Sequence, residues 1–396
     1  MVVLDSGDIA YFPLGVFPVR KHNVVQGVYT KLGDRVENQW QGLITSADMP
    51  YVVNPDKGYL VSCNNFVASA RMKYGVSHAF SLNHRKVRIS ELIEDLIDAG
   101  KQINVKDLQT IQNDILDVQM RHSIPDMVAA VHKGARKLGL TNPVAMRALV
   151  GVKILEGWDF KFDKDKPQGA VVEAWEFMLA TYMHETKISD VRLRRGIQSL
   201  PESENFLYKQ VAKWAAEEET REEYCKVHEL KATNTCQELM AFTLAKAIMD
   251  LEERLGPYDG TNWRMGDLVK VRYEHNPFSE TILRSKFEQI REESGNRRTP
   301  SMHMHFYHTE GARYQVQGGP VFKQVHDFSE PTSSFFAMDV ELDQSHLWST
   351  QTFEPGLTQL WEKSRYFRMP TFELAGQIRF KLKETAKTVM LYPGEI

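Results

Sequence analysis

The sequence predicts an α+β fold in which strand-forming segments at both ends of the chain enclose a block of helices. Three observations lead to this prediction. Apolar and polar residues alternate between turn signals in residues 1–88, apolar residues recur at helical spacing in residues 89–258, and strand patterns return in residues 259–396. No internal repeat or long linker separates these parts, so we expect one intertwined unit with an inserted helical block.

Two short segments define the first predicted strands. Residues 7–15, "GDIAYFPLG", alternate around a turn and predict a hairpin. Residues 51–63, "YVVNPDKGYLVSC", predict two strands joined by a tight turn. Pro55 fits the second position of that turn, and Gly58 supplies the positive φ of a turn exit. The second of the two strands covers residues 59–63.

Two adjacent asparagines, Asn64 and Asn65, end this predicted strand. A carboxamide held rigidly at a strand end can aim its N–H groups into the space beyond the strand. Most asparagines in such positions instead cap a turn or satisfy backbone groups of their own loop. The residues alone leave both interpretations open.

The central block is predicted from the spacing of apolar residues. In "RISELIEDLIDAG", residues 88–100, Gly100 suits the C-terminus of a helix whose apolar positions are Ile89, Leu92, Ile93, Leu96 and Ile97. The segments "NVKDLQTIQNDILDVQMRH", "PQGAVVEAWEFMLATYMHE" and "ENFLYKQVAKWAAEEETREEYCKVHELKATNTCQELMAFTLAKAIMDLEERLG" continue the helical pattern. Turn signals return after "RLGPYDGTNW", and residues 300–345 predict strands.

Composition excludes two classes of partner. A formal net charge of −3 from near-equal numbers of acidic and basic residues gives no basic footprint for nucleic acid. No apolar run approaches the roughly 18 residues that would predict a membrane span. The opening residues "MVVLDSGDIAYFPLG" lack the pattern of a signal peptide, so the compartment stays open. Cys63, Cys225 and Cys236 form no paired spacing, and we expect them to be reduced.

Two segments approach the density of a metal site. "LEGWDFKFDKDKP" places three aspartates close together but lacks the glycine and distal glutamate of a calcium loop, so a polar turn is the better interpretation. "MHMHFYH" contains His303, His305 and His308 without a carboxylate or cysteine partner. Such histidines are usually packed or surface residues, and we predict no metal there.

Taken in order, these segments resemble the penicillin acylase (penicillin amidase) family of N-terminal-nucleophile hydrolases, in the C-terminal part of the large subunit. "DSGDIAYFPLGVFPVR" is similar to that family's strand–turn–strand run, and "WQGLITSADMPYVVNPDKGYLVSCNN" to its segment ending in paired asparagines. "VRISELI", "IQNDI", "LEGWDF" and, more weakly, "NWRMGDL" resemble later sites, and "GGPVFKQVHDFSE" with "DQSHLWSTQTFEPGLTQLW" resembles the closing strands. The likeness covers nearly the whole chain and is most specific in residues 1–115.

The resemblance implies a partial αββα sandwich and an amidohydrolase that cleaves a carboxamide C–N bond through an acyl-enzyme. The first asparagine of the pair, an oxyanion-hole donor in the family, matches Asn64. The family's active-site arginine matches Arg88 at the start of the next helix, although its spacing from Asn64 is slightly longer than in the family. The alternative for Arg88 is an ordinary first-turn residue in a structural ion pair.

The resemblance also indicates what these residues do not supply. The family's nucleophile is a serine exposed at the start of its large subunit by self-cleavage, and its free α-amine serves as the base. The chain opens with "MVVLDSGD", in which Ser6 lies inside the matched strand turn, so we expect the nucleophile outside this chain. The expected partners are therefore the missing N-terminal portion or small subunit of the same precursor and a small N-acyl amide substrate.

No cofactor is expected, because no acidic residue between Asn64 and Arg88 matches the family's calcium ligand. A second function class stays open beside the amidohydrolase. In it, the chain is a catalytically inactive family member that serves as a structural or assembly subunit. The retained Asn64 favours the enzyme, whereas the missing nucleophile favours the assembly subunit.

Overall fold

A computed structural model gives the α+β architecture of the chain, and its described residues form two compact units. The N-terminal unit comprises residues 1–86, 326–333 and 369–396, and the helical unit comprises residues 87–325 and 334–368. The structure describes residues 2–3, 7–13, 15–20, 32–66, 73–74, 80–185, 225, 235–273, 278–287, 289–305, 314–318, 322–328, 335–338 and 367–368. His308 and the closing segment "DQSHLWS" lie outside these residues.

The N-terminal unit contains short antiparallel strands. They are β1 (Val2–Val3), β2 (Ile9–Tyr11), β3 (Pro18–Arg20), β4 (Trp40–Leu43) and β5 (Val52–Val53). Strand β2 lies between β1 and β5, with Ala10 opposite both Val2 and Val53, and β3 pairs with β4. Two 3-10 turns, Val36–Asn38 and Ser46–Asp48, flank β4.

Two strand predictions for this unit are wrong. Strand β2 pairs with β1 and β5, which come from before and well after it in the chain, and not within a hairpin of residues 7–15. Residues 59–63 are irregular, because no described strand pairs with them. The predicted turn is confirmed, since the Gly58 N–H donates to the Pro55 carbonyl at 2.8 Å and Gly58 has φ +73°. Pro55 occupies its first position rather than the second.

Helices dominate the middle of the chain, as the periodicity predicts. They are α1 (His84–Asp98), α2 (Val105–Gln112), α3 (Val118–Leu138), α4 (Pro143–Leu155), α5 (Gln168–Glu185), α6 (Cys236–Leu255), α7 (Met265–Leu268) and α8 (Arg284–Phe287). Asn104 with Asp107 and Thr235 with Glu238 form capping boxes that satisfy the first N–H groups of α2 and α6. Gly100 follows α1 at φ +65°, as predicted for its C-terminus.

Helix α6 packs against α3, α4 and α5 to form the core of the helical unit. Trp175, Phe162 and Leu244 are fully buried in this core. Gly134 on α3 lies so close to α6 that an added Cβ would stand 2.1 Å from the Gln237 carbonyl oxygen. The two helix backbones are therefore in direct contact at this point.

A buried ion cluster joins α3 and α5 to the segment that contains Asn296 and Arg298. The Asp117 carboxylate caps α3 by accepting the Gln119 N–H at 2.8 Å, and its second oxygen accepts Arg298 Nε at 2.7 Å. Arg298 Nη2 donates to Glu176 Oε1 at 2.5 Å, and all three charged side chains are buried. Asn296 adds a hydrogen bond of 2.9 Å to the same Asp117 oxygen. The Arg298 cation, held between two carboxylates, offsets part of their buried negative charge.

Strands follow the helices, as predicted for the second half of the chain. They are β6 (Lys270–Tyr273), β7 (Gln289–Arg291), β8 (Met304–His305), β9 (Gln315–Gly318), β10 (Phe322–Val325), β11 (Phe335–Met338) and β12 (Phe367–Arg368). One sheet has the order β7-β6-β9-β8, in which β6 and β9 are parallel, and the other has the antiparallel order β10-β11-β12.

The cysteines differ from the sequence prediction. Cys225 and Cys236 form a buried disulfide with Cα atoms 4.8 Å apart, so the expectation of reduced cysteines is wrong for these two. Cys63 is free and buried. The eleven-residue separation of the bonded pair carries no recognisable pairing signal, which is why the sequence did not indicate the bond.

Candidate active site

The paired asparagines lie in a bend that follows the irregular residues 59–62. Asn64 is exposed and has φ +60°, a left-handed conformation that asparagine adopts more readily than most residues. Its carbonyl accepts the Ser81 N–H at 2.7 Å, and Phe66 packs edge-on against Phe80 with ring centroids 5.0 Å apart. The bend is therefore tied to the segment that leads into α1.

The side chain of Asn64 is oriented by Arg85, in the first turn of α1. Arg85 Nη2 donates to the Cys63 carbonyl at 2.8 Å and to Asn64 Oδ1 at 2.9 Å. Because a guanidinium can only donate, the Asn64 atom that faces it must be the oxygen, and Nδ2 points to the other side. Among the residues that the structure describes, no acceptor is bonded to Asn64 Nδ2. The arrangement leaves a fixed amide donor at the surface of the N-terminal unit.

Burial shifts the pKa values of two neighbours of Asn64, Cys63 and Arg85, in opposite directions. Burial raises the pKa of the Cys63 thiol, and the positive charges of Arg85 and Lys86 only partly offset this effect. The thiol is therefore protonated at neutral pH and unreactive as a nucleophile. Burial also lowers the pKa of Arg85, although an arginine stays charged at any physiological pH. The cation strengthens the N–H donor character of the amide whose oxygen it binds.

Arg88, the arginine predicted from the sequence, makes different contacts. Its guanidinium forms a bidentate ion pair with Asp114, with Nε–Oδ1 and Nη2–Oδ2 distances of 2.9 Å each. Arg88 Nη1 also lies 3.4 Å from Glu91 Oε2. The Asp114 hydrogen bonds raise its pKa against the opposing effect of burial. These contacts are those of the alternative interpretation, a structural ion pair. A catalytic role for Arg88 stays a prediction.

Sequence reasoning missed Arg85, which lies one helical turn before Arg88. One signal could have found it. The spacing from Asn64 to Arg88 is longer than in the family pattern. Arg85 lies three residues before Arg88, so it is closer to Asn64 in the sequence and lies on the same side of the helix. The structure thus brings Asn64 together with Arg85.

The other candidate clusters do not assemble into a metal site among the described residues. Asp159 pairs with Lys166 at 3.5 Å, and Asp165 pairs with Arg264, as expected of a polar turn. His303 is buried, and no three His, Cys, Asp or Glu side chains in the described ranges come together as metal ligands. None of the described helices combines the length and apolar character needed to cross a membrane.

A known structure shares this fold. The chain is similar to the thermostable penicillin G acylase from Alcaligenes faecalis in its orthorhombic form, with a TM-score of 0.54 and 15% sequence identity. The match covers 98% of this chain and 66% of that acylase chain, so the present chain spans about two thirds of its length. At this identity the likeness establishes an acylase-type α+β fold.

The sequence itself identifies the family. The family model for penicillin amidase matches residues 1–374. The chain belongs to the penicillin amidase family, and the resemblance found in its motifs is confirmed.

Proposed function

We propose that the protein is an amidohydrolase of the penicillin amidase type. It would hydrolyse a carboxamide C–N bond of a small N-acyl amide through an acyl-enzyme. The single observation that carries this proposal is the carboxamide of the exposed Asn64, whose oxygen is bound by Arg85 at 2.9 Å and whose Nδ2 has no acceptor among the described residues. Family membership over residues 1–374 supports it.

The chemistry needs such a donor. Attack by a serine hydroxyl on the amide carbonyl forms a C–O bond and places negative charge on the carbonyl oxygen. Asn64 Nδ2 donates to that oxygen, and because Arg85 already fixes the amide, little reorganisation is needed as the charge develops. Collapse breaks the C–N bond, the amine leaves with a proton, and water then releases the acid from the acyl-enzyme. In this proposal the serine lies outside the present residues.

The partner that we propose is the remaining N-terminal portion or small subunit of the same precursor. Strand β4 is exposed along its whole length, and Trp40 on it is 64% exposed. A two-stranded pair such as β3–β4 is marginally stable unless further strands or a packed face cover it. The additional length of the similar acylase chain supports a covering segment, which would complete the αββα sandwich around the inserted helical block.

The test uses the full-length protein and chromogenic phenylacetyl and long-chain acyl amides. Replacing Asn64→Ala should lower kcat by about 10²–10³-fold with little change in KM, because the donor acts on charge that exists only in the transition state. The half-buried Asn38, whose Nδ2 donates to the Leu32 carbonyl at 2.9 Å, provides the control Asn38→Ala, with unchanged kcat.

Two outcomes would contradict the proposal. Equal kcat for wild type and Asn64→Ala would remove Asn64 from the reaction. If the full-length wild-type protein turns over none of these amides, the alternative of a catalytically inactive assembly subunit replaces the enzyme.

A further inference from the structure

The second asparagine of the pair is buried beside the exposed Asn64. Asn65 is 2% exposed. Its Oδ1 accepts the Cys63 N–H at 2.9 Å, and its Nδ2 donates to the Phe66 carbonyl at 2.8 Å. The Asn65 side chain therefore binds Cys63, the residue before Asn64, and Phe66, the residue after Asn65.

This bridge encloses a strained residue. Among the described residues, Asn54, Asn64 and Phe160 are the non-glycine residues with positive φ. Residues in this conformation persist where the surrounding contacts hold them. At Asn64 these contacts come from Arg85, from the Ser81 N–H, and from the bridge that Asn65 forms across the bend.

Burial makes the bridge specific. An amide removed from water is tolerated only when both its donor and its acceptor are bonded, and each end of the Asn65 side chain has a backbone partner. A leucine at this position would fill the space, but neither leucine nor alanine would bond the Cys63 N–H and the Phe66 carbonyl.

We propose that Asn65 is a positioning residue that holds Asn64 in its left-handed conformation, so that Asn64 Nδ2 stays aimed outward. The inference rests on the proposed function, because Asn65 affects the reaction only through the position of Asn64 Nδ2. Asn65 itself touches neither substrate nor nucleophile. Loss of the bridge would displace the donor, and displacements of about 1 Å can cost on the order of a hundredfold in rate.

The first test is a double-mutant cycle on kcat in the full-length protein. Asn65→Ala should lower kcat about tenfold to a hundredfold with KM nearly unchanged. Added to Asn64→Ala, it should lower kcat no further, because the group through which it acts is already gone. Additive losses, or an Asn65→Ala kcat within twofold of wild type, would overturn the proposal.

A matched control separates positioning from general stability. Asn54 also has positive φ, and its side chain also makes two hydrogen bonds, to the Ile9 N–H at 2.9 Å and to Asp8 Oδ1 at 2.8 Å. Asn54→Ala should lower the unfolding temperature and leave kcat unchanged. If both alanine variants lower kcat equally, Asn65 is only a structural residue and the proposal fails.

The conservative variant Asn65→Asp gives a pH-dependent rescue. A neutral carboxyl can accept from the Cys63 N–H and donate to the Phe66 carbonyl, whereas the ionised form repels that carbonyl. Burial favours the neutral form, so the ratio of variant to wild-type kcat should rise as pH falls from 8 to 6. The neighbouring charged and titratable groups, Arg85, Lys86 and Cys63, are present in both proteins. A flat ratio would contradict the bridge.

A readout without turnover distinguishes failure of this inference from failure of the proposed function. Hydrogen exchange of the peptide that contains Cys63 should be faster in Asn65→Ala than in wild type and unchanged in Asn54→Ala. Unchanged exchange would overturn the bridge even if the enzyme is active. If the wild-type protein turns over no amide, the function fails while the exchange result still decides whether Asn65 holds the bend.

Discussion

The two units differ in how far they bury their apolar side chains. In the described part of the N-terminal unit, the buried apolar residues are Ala10, Ile44 and Cys63, whereas the helical unit buries a continuous core. Large apolar residues in the described part of the N-terminal unit are exposed instead: Phe12, Val16, Leu32, Val36, Trp40, Leu43, Tyr51, Val53, Phe66 and Phe328. Among the described residues, the unit that carries the candidate site therefore buries much less apolar surface than the helical unit does.

The largest expected effect contrasts two tryptophans. Trp175 in α5 is 1% exposed and donates to Thr243 Oγ1 at 3.0 Å, so Trp175→Ala should reduce the free energy of unfolding by about 3–5 kcal/mol. Trp40→Ala should change it by less than about 0.5 kcal/mol in the present chain, because the indole is already in water. Urea unfolding measures both.

The two tryptophan variants can also contradict the proposed difference between the units. Equal losses for the two variants would show that the N-terminal unit has a core comparable with that of the helical unit. When the proposed covering segment is present, Trp40→Ala should acquire a measurable cost, whereas the cost of Trp175→Ala should stay the same.

An intermediate effect is expected from two glycines. Gly134→Ala places a methyl group against the backbone of α6 and should destabilise the protein by about 1–3 kcal/mol. Gly33 in the N-terminal unit has open space around its Cβ position, so Gly33→Ala should be neutral. Thermal unfolding compares them, and a neutral Gly134→Ala would show that the α3–α6 contact is loose.

The smallest effect concerns pH. Burial raises the pKa of Glu91, but hydrogen bonds and charges from Arg121 and Arg88 outweigh it, so the folded pKa lies below the usual 4.5. A lowered folded pKa stabilises the protein above pH 4.5, and this contribution is lost as pH falls through the folded value. Because the site is partly exposed, Glu91→Gln should cost less than about 1 kcal/mol at pH 7.

The free energy of unfolding of wild type and Glu91→Gln, measured by urea unfolding at pH 7 and near pH 3, tests this pH dependence. The difference between wild type and Glu91→Gln should shrink toward zero as the carboxylate becomes protonated. Glu280→Gln, at an exposed position, serves as the control. A difference that grows at low pH would contradict the ion pair with Arg121 and Arg88.

Sequence patterns predicted local structure well and pairing poorly. Gly100 could be placed at the end of α1 because helix periodicity and the positive-φ preference of glycine act within a few residues. Residues 59–63 have a strand-like composition, but a strand needs a partner, and the identity of that partner is set by distant parts of the chain. The fold class was therefore readable, whereas the sheet order was not.

The candidate site shows the same division. Asn64 could be singled out because its motif is local. The spacing from Asn64 favours Arg85 over Arg88, but only the structure shows that Arg85 forms the hydrogen bond with the Asn64 side chain whereas Arg88 pairs with Asp114. The disulfide between Cys225 and Cys236 is a further case, since pairing follows proximity in space and not spacing in the sequence.

The Asp117–Arg298–Glu176 cluster predicts how these three residues vary among related sequences. Loss of Arg298 would leave two uncompensated carboxylates inside the helical unit, whereas joint replacement of all three by apolar residues would leave none. Substitution of Arg298 alone should therefore be eliminated by selection. Relatives that lack Arg298 should lack both carboxylates as well.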